Sequence, residues 1–205
     1  MPEPTRHGAT PNEGDGKRIL LILGTPKDNS LCHALADAYT RGARSQGHVV
    51  HLLALGSLQF DPILRAGYDQ SQALEPDLIE AQRQIHWAEH LVLVHPLWWE
   101  GPPALLKGFL ERVLLPGFAF RARGPGRWEP LLHGRSADLL VTLDISRWQS
   151  RLLPWHWAHR RALRATLRFC GIRPRRLREF TPVGSADEAQ RQAWVSQAEQ
   201  LGCHA

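Results

Sequence analysis

Apolar runs alternate with helix-period stretches along most of the chain. Arg18-Ile-Leu-Leu-Ile-Leu23 is continuous and apolar, as a strand covered on both faces must be, and Gly24 marks its end. Ser30 is placed to cap a helix whose Leu31, Leu35, Ala38 and Tyr39 fall on one face, and Gly47 stops that helix. A second strand follows at Val49–Leu53. Gly56 to Pro76 lacks a regular period and reads as a long loop with at most a helical turn. A helix over about Asp77–Ala88 then leads to a third buried strand, His90–His95, and a helix over Pro103–Leu114 begins with proline where its missing N–H costs nothing. Ala119 to Pro130 reads as an irregular excursion. Strand four is Asp138–Asp144, a helix covers about Trp157–Cys170 and ends at Gly171, strand five is near Arg175–Phe180, and a last helix spans about Asp187–Leu201. Five strands separated by helices predict an α/β fold, a three-layer sandwich around a parallel sheet of order 2-1-3-4-5.

The chain has 205 residues, 43% of them hydrophobic, enough for one sizeable core. One domain is expected over residues 17–205, preceded by a polar, Gly- and Pro-containing tail, 1–16. No stretch is long and apolar enough to cross a bilayer, and the start lacks a signal pattern. Cys32, Cys170 and Cys203 form neither a CxxC pair nor a disulfide framework, which fits a reducing cytoplasm and no metal. His86 and His90 are four apart, but the helix is expected to end between them. The formal charge is +5, and the excess is local: Arg160, Arg161, Arg164, Arg168, Arg173, Arg175, Arg176 and Arg178 crowd one region. That cluster reads either as a solvated face or as a surface meeting phosphates; with little aromatic interleaving, nucleic acid is not expected.

In a sheet of this order the ends of strands one, three and four meet in one crevice, so three loops are read together. Gly24-Thr-Pro-Lys-Asp-Asn-Ser-Leu31 precedes a helix start, an arrangement that holds phosphate; Ser30 is equally well explained as a plain cap. No GxGxxG or P-loop lysine is present, which argues against an ordinary dinucleotide site and a triphosphatase. Pro96-Leu97-Trp98-Trp99 offers backbone N–H and C=O groups to the edge of a planar ring and an indole to its face, although an isolated Trp pair also serves as packing. Thr142-Leu143-Asp144-Ile145-Ser146-Arg147-Trp148 borders the same place.

The stretch Pro96-Leu-Trp-Trp-Glu-Gly-Pro-Pro-Ala-Leu-Leu-Lys-Gly-Phe-Leu-Glu-Arg-Val-Leu-Leu-Pro-Gly-Phe-Ala-Phe120 resembles the hallmark of the flavodoxin-like NAD(P)H:quinone oxidoreductases of the DT-diaphorase and modulator-of-drug-activity type. The resemblance runs from about Lys17 to Leu201. It implies a homodimer with FMN or FAD at the sheet edge, NADPH or NADH as electron donor and a quinone-like acceptor. It also implies a phosphate held near Thr25, Asn29, Ser30 and Leu31, a ring bordered by Pro96, Leu97, Trp98 and Trp99, and a site completed by Thr142, Leu143, Asp144 and Ile145. His159 matches a family histidine placed to protonate the acceptor, with helix capping as the competing reading. Glu100, Phe118, Phe120 and Trp148 are the expected substrate-pocket residues; for Phe118 and Phe120, dimer packing alone is the alternative. Some positions depart from the family pattern. Thr25 stands where histidine is common, Glu100 replaces a usual glycine, Ile145-Ser146 replaces small residues or Thr-Pro, and Trp155-His156-Trp157 lies where glycine is richer. These departures motivate a second reading, a catalytically weak flavin- or nicotinamide-sensing regulatory subunit of a membrane transporter.

Overall fold

The computed structural model describes residues 16–145 and 156–205, the side chains of 156–159 excepted. The strands are β1 (Arg18–Leu23), β2 (Val49–Ala54), β3 (His90–Pro96), β4 (Phe120–Ala122), β5 (Trp128–Pro130), β6 (Ser136–Thr142) and β7 (Arg173–Phe180). The helices are α1 (Leu31–Ser45), α2 (Pro76–Trp87), α3 (Ala104–Val113), α4 (His156–Phe169) and α5 (Glu188–Cys203). The main sheet is parallel with order β2-β1-β3-β6-β7. With the β4-β5 hairpin set aside, this is the expected 2-1-3-4-5 arrangement, the flavodoxin-like order.

Continuous apolar sequence and burial coincide in the central strands. Ile19 to Leu23 and Leu91 to Val94 are buried, and their alternate side chains feed two cores. Leu20, Ile22, Leu91 and Leu93 pack under α2, α3 and α4, whereas Leu21, Leu23, Val92 and Val94 pack under α1 and α5. Each Leu or Ile so buried contributes about 1.5–3 kcal/mol. The flanking strands are less covered; Val49 and Leu52 on β2 are half exposed.

Two glycines set the depth of the α1–α5 crossing. A Cβ on Gly42 would lie 1.9 Å from the Glu199 carbonyl oxygen, and one on Gly202 would lie 2.1 Å from that of Tyr39. The two backbones therefore touch.

Residues 119–130 are not irregular. Phe120–Ala122 pairs antiparallel with Trp128–Pro130, and Arg121 on one strand and Arg123 just after it both hold Glu129 on the other. Strands of three residues carry too little periodicity to be read from sequence. The long loop before α2 opens with a 3₁₀ turn, Leu55–Ser57, and is then fastened from outside itself. The fully buried Arg112 on α3 donates to the carbonyls of Asp61 and Ala73 and pairs with Glu75 at 2.9 Å. Helix α2 ends at Trp87 and His90 lies in β3, so those two histidines share no helix face. No metal-binding cluster and no helix long and apolar enough to cross a membrane occurs among the described residues.

Candidate active site

At the C-terminal edge of the sheet, β1, β3 and β6 open onto a crevice of about 440 Å³. One wall is the start of α1. Ser30 adopts extended backbone as the N-cap, and its hydroxyl lies 3.0 Å from His33 Nδ1. Asn29 before it sits at φ +48°, a left-handed conformation that asparagine tolerates better than most side chains. The Leu31 and Cys32 amides open the first turn, with no carbonyl a turn behind them, and this helix end favours negative charge. Lys27 also lines the crevice.

The second wall is the end of β3. Trp98 N–H donates to Gly101 O at 2.9 Å and Gly101 N–H returns to Trp98 O at 3.0 Å. Trp99 and Glu100 between them have φ +49° and +60°. This is a type I′ turn, usually built from Asn and Gly. Holding two ordinary side chains in it costs of order 1–3 kcal/mol each. Two consequences depart from the sequence reading. The turn aims Trp98 into the crevice and leaves Trp99 fully exposed outside it, so the two indoles do not act as a pair. The Leu97 and Trp98 amides, expected to face a ring, are already bonded to Thr142 O and Gly101 O.

The third wall is the loop after β6. Leu143 N–H goes to Phe180 O, which leaves the Asp144 and Ile145 amides as that loop's backbone donors without a backbone acceptor among the described residues. Asp144 accepts Gly184 N–H at 2.8 Å, and a Cβ on Gly184 would come within 2.6 Å of that carboxylate. Ile145 is held by Thr181, whose hydroxyl donates to its carbonyl, and does not line the crevice. At the floor, Cys32 Sγ lies 3.4 Å from Thr142 Oγ1, and burial, opposed by that hydrogen bond, pushes the Cys32 thiol up to about 11. Buried at the crevice floor, the thiol packs between α1 and β6.

Thr25, Asn29, Ser30, Leu31, Pro96, Leu97, Trp98, Thr142, Leu143 and Asp144 thus share one cavity. Sequence reading missed Val183, Gly184 and Arg191, which β7 and α5 bring to the same place. Arg191 is held by the Val183 and Ala186 carbonyls. No motif marks them, because their approach depends on the crossover after β7. The residues present suit a phosphorylated planar cofactor: the helix-start residues Ser30, Leu31 and Cys32, the cations Lys27 and Arg191, the Trp98 indole and the Asp144 amide all border the one crevice.

Beyond the Trp98–Gly101 turn lies a separate cavity of about 660 Å³. Phe120 is its hub, with ring centroids 5.0 Å from Phe169, 5.5 Å from Trp128 and 6.2 Å from Tyr68. Glu100 stands on its rim. Phe118 lines neither cavity and packs half-buried against the core. Trp148, Ser146, Trp155 and the tail 1–15 lie outside the described residues, as do the side chains of His156, Trp157 and His159, although His159 falls within α4.

The family model described as flavodoxin-like fold matches residues 17–201. The chain belongs to this family, the class that its sheet order and crevice define, and its curated relatives are of the NAD(P)H:quinone oxidoreductase type. It is 30% identical over 125 residues to NAD(P)H dehydrogenase (quinone) 1 of Cavia porcellus, a match covering 51% of this chain and 45% of that protein. It is 27% identical over 188 residues to ribosyldihydronicotinamide dehydrogenase (quinone) of Mus musculus, covering 77% and 78%. Among solved structures, a protein from Streptococcus mutans UA159 superposes with a TM-score of 0.80 at 25% identity, over 92% of this chain and 100% of that one.

Proposed function

We propose that the protein is a flavin-dependent NAD(P)H oxidoreductase passing two electrons to quinones or related acceptors. The observation that carries this reading is the convergence, in one crevice of about 440 Å³, of the helix-start residues Ser30, Leu31 and Cys32 with Trp98 and the loop residues Leu143 and Asp144. The names of the relatives support it. A bound flavin would supply the redox chemistry, taking hydride at N5 from the nicotinamide and handing both electrons to the acceptor in a second half-reaction.

The chain's own part is placement and charge. The Leu31 and Cys32 amides, the Ser30 hydroxyl, Lys27 and Arg191 would anchor the phosphate. The Asp144 amide is the donor available for negative charge that reduction would place on the ring edge. Trp98 covers one side. The acceptor would enter past Glu100 and Phe120 and take its proton from His159. The FMN form is favoured, because the crevice accounts for a phosphate and a ring without needing an adenine subsite. A homodimer and a cytoplasmic setting complete the proposal.

The test is an absorbance spectrum of the purified protein, mass analysis of the released cofactor, and NADPH oxidation with a simple benzoquinone. A yellow protein releasing FMN and turning over the quinone is expected. Flavin bound with negligible turnover, together with a stable transporter partner in a pull-down, would favour the regulatory reading instead. Absence of flavin uptake and of turnover would end both.

A further inference from the structure

We propose a second ligand site at the N-terminal end of the sheet, which takes the phosphoryl groups of a small, multiply phosphorylated molecule. The site is a cavity of about 640 Å³ lined by Lys17, Arg135, Arg173 and Arg175, with Glu89 and Ser136 beside them. It lies roughly 20 Å, a strand's length, from the crevice, so occupying it does not compete with the redox site. The proposal does not depend on the function proposed above.

The charges do not cancel. Glu89 is the one carboxylate lining this cavity, and it is engaged by Arg18, through the backbone N–H at 2.9 Å and Nε at 3.4 Å. Arg135 is fastened by neutral carbonyls, to Ile85 O at 3.0 Å, His86 O at 2.6 Å and His133 O at 3.2 Å, so its position is fixed while its charge remains. Lys17 Nζ donates to Ala205 O at 2.7 Å, which fixes its position. Arg173 and Arg175 hydrogen-bond no carboxylate among the described residues, and the carboxylate that feels the charge of Arg175, Asp138, is buried outside the cavity lining. Burial, and then the like charge of Arg18, pull the Arg135 guanidinium below its ordinary value.

The arrangement is also built. The β6–β7 register shifts between Ala137 and Asp138, and Arg175 is the extra residue at that irregularity. Bulges re-aim a side chain. Three other members of the arginine cluster are used differently. Arg160 pairs with Glu179, Arg176 reaches Asp138 and the carbonyls of Leu201 and His204, and Arg178 donates to Gln197. Guanidinium forks match phosphoryl oxygens two at a time, and four cations in one concavity suit a ligand with several such groups. A nucleic-acid strand fits less well, since no aromatic ring lines the cavity to stack a base.

The test is calorimetric titration of the full chain, as purified, with tripolyphosphate and with inorganic phosphate. One tripolyphosphate per chain is expected, bound more tightly than phosphate. The double variant Arg173→Gln/Arg175→Gln should weaken binding by roughly tenfold or more while flavin content stays unchanged. Arg161→Gln/Arg168→Gln, which removes the same charge from the exposed face of α4, should weaken it by only about threefold or less through general screening. Circular dichroism of both variants establishes folding; if the first pair fails to fold, Arg173→Gln alone carries the comparison. Absence of saturable heat, or equal losses in the two double variants, would overturn the site.

Discussion

Beneath the sheet, at the start of β3 and β6, buried polar side chains close on one another, whereas above it, where β1, β3 and β6 end, donors are left facing open space and the backbone is strained. In the lower region Tyr39 Oη lies 3.2 Å from His90 Nε2 and donates to Asp138 Oδ2 at 3.3 Å, His90 Nδ1 lies 2.8 Å from Ser136 Oγ, and Asp138 Oδ1 accepts Arg176 N–H at 3.2 Å. His90 and Asp138 are fully buried. Burial pushes the Asp138 carboxyl up, but its hydrogen bond and electrostatic attraction to His90, with the charges of Arg176 and Arg175, hold it below the usual carboxylate range. In the upper region Asn29, Trp99 and Glu100 all have positive φ, and the helix-start residues Leu31 and Cys32 and the loop residue Asp144 line a cavity. A closed network stabilises only the fold. An open and strained one is stable only because the surrounding structure supports it, and it gains from a ligand.

The largest effect should come from opening the closed end. Asp138→Ala leaves His90 and Tyr39 without their buried acceptor and should cost about 3–5 kcal/mol, read as a lower urea midpoint with a similar slope. A neutral result would show that the lower network is no more structural than the upper one.

The pH profile sharpens the same point. Because the folded Asp138 value is depressed, its contribution is fully present above the unfolded value of about 3.9 and is lost as pH falls through the lower folded one. The native protein should lose stability on acidification below about pH 4, and Asp138→Asn should flatten that part of the curve. Thermal melts at several acidic pH values measure it.

At the open end, Ser30→Ala should cost only about 0.5–2 kcal/mol of stability through the lost cap. Flavin retention on a desalting column should suffer more than the melting temperature does. Equal losses in both would make Ser30 a cap and nothing else. The smallest change is expected from Glu100→Gly. It relieves one left-handed side chain, offset by glycine's greater unfolded freedom, and should stabilise by about 0–1 kcal/mol in the same melts. A clear destabilisation would mean that the Glu100 side chain supports the turn.

Much of the fold was legible because buried parallel strands must be apolar throughout and helices covering them must be apolar along one stripe. The runs at Arg18–Leu23 and His90–His95 and the face Leu35, Ala38, Tyr39 meet those demands without help from distant residues. The crevice was legible as far as its loops follow those strands: ten of the residues singled out in them line it. The β4-β5 hairpin was not legible, since its three-residue strands are held by the cross-strand Arg121–Glu129 pair and by Arg123, just past β4, on the same carboxylate. Nor was the separation of Trp98 from Trp99, because a turn normally signalled by Asn-Gly is built here from Trp-Glu.

By itself the sequence determined the alternation of elements, the order of the sheet and the places where loops meet at its edge, since periodicity and capping are local and act wherever the chain happens to be. Only the tertiary structure decided which amides were already engaged, which arginines found carboxylates and which were left to face a cavity, and how closely Gly42 and Gly202 bring two helices together. Pairing and desolvation depend on partners far apart in the chain, and no local pattern records them.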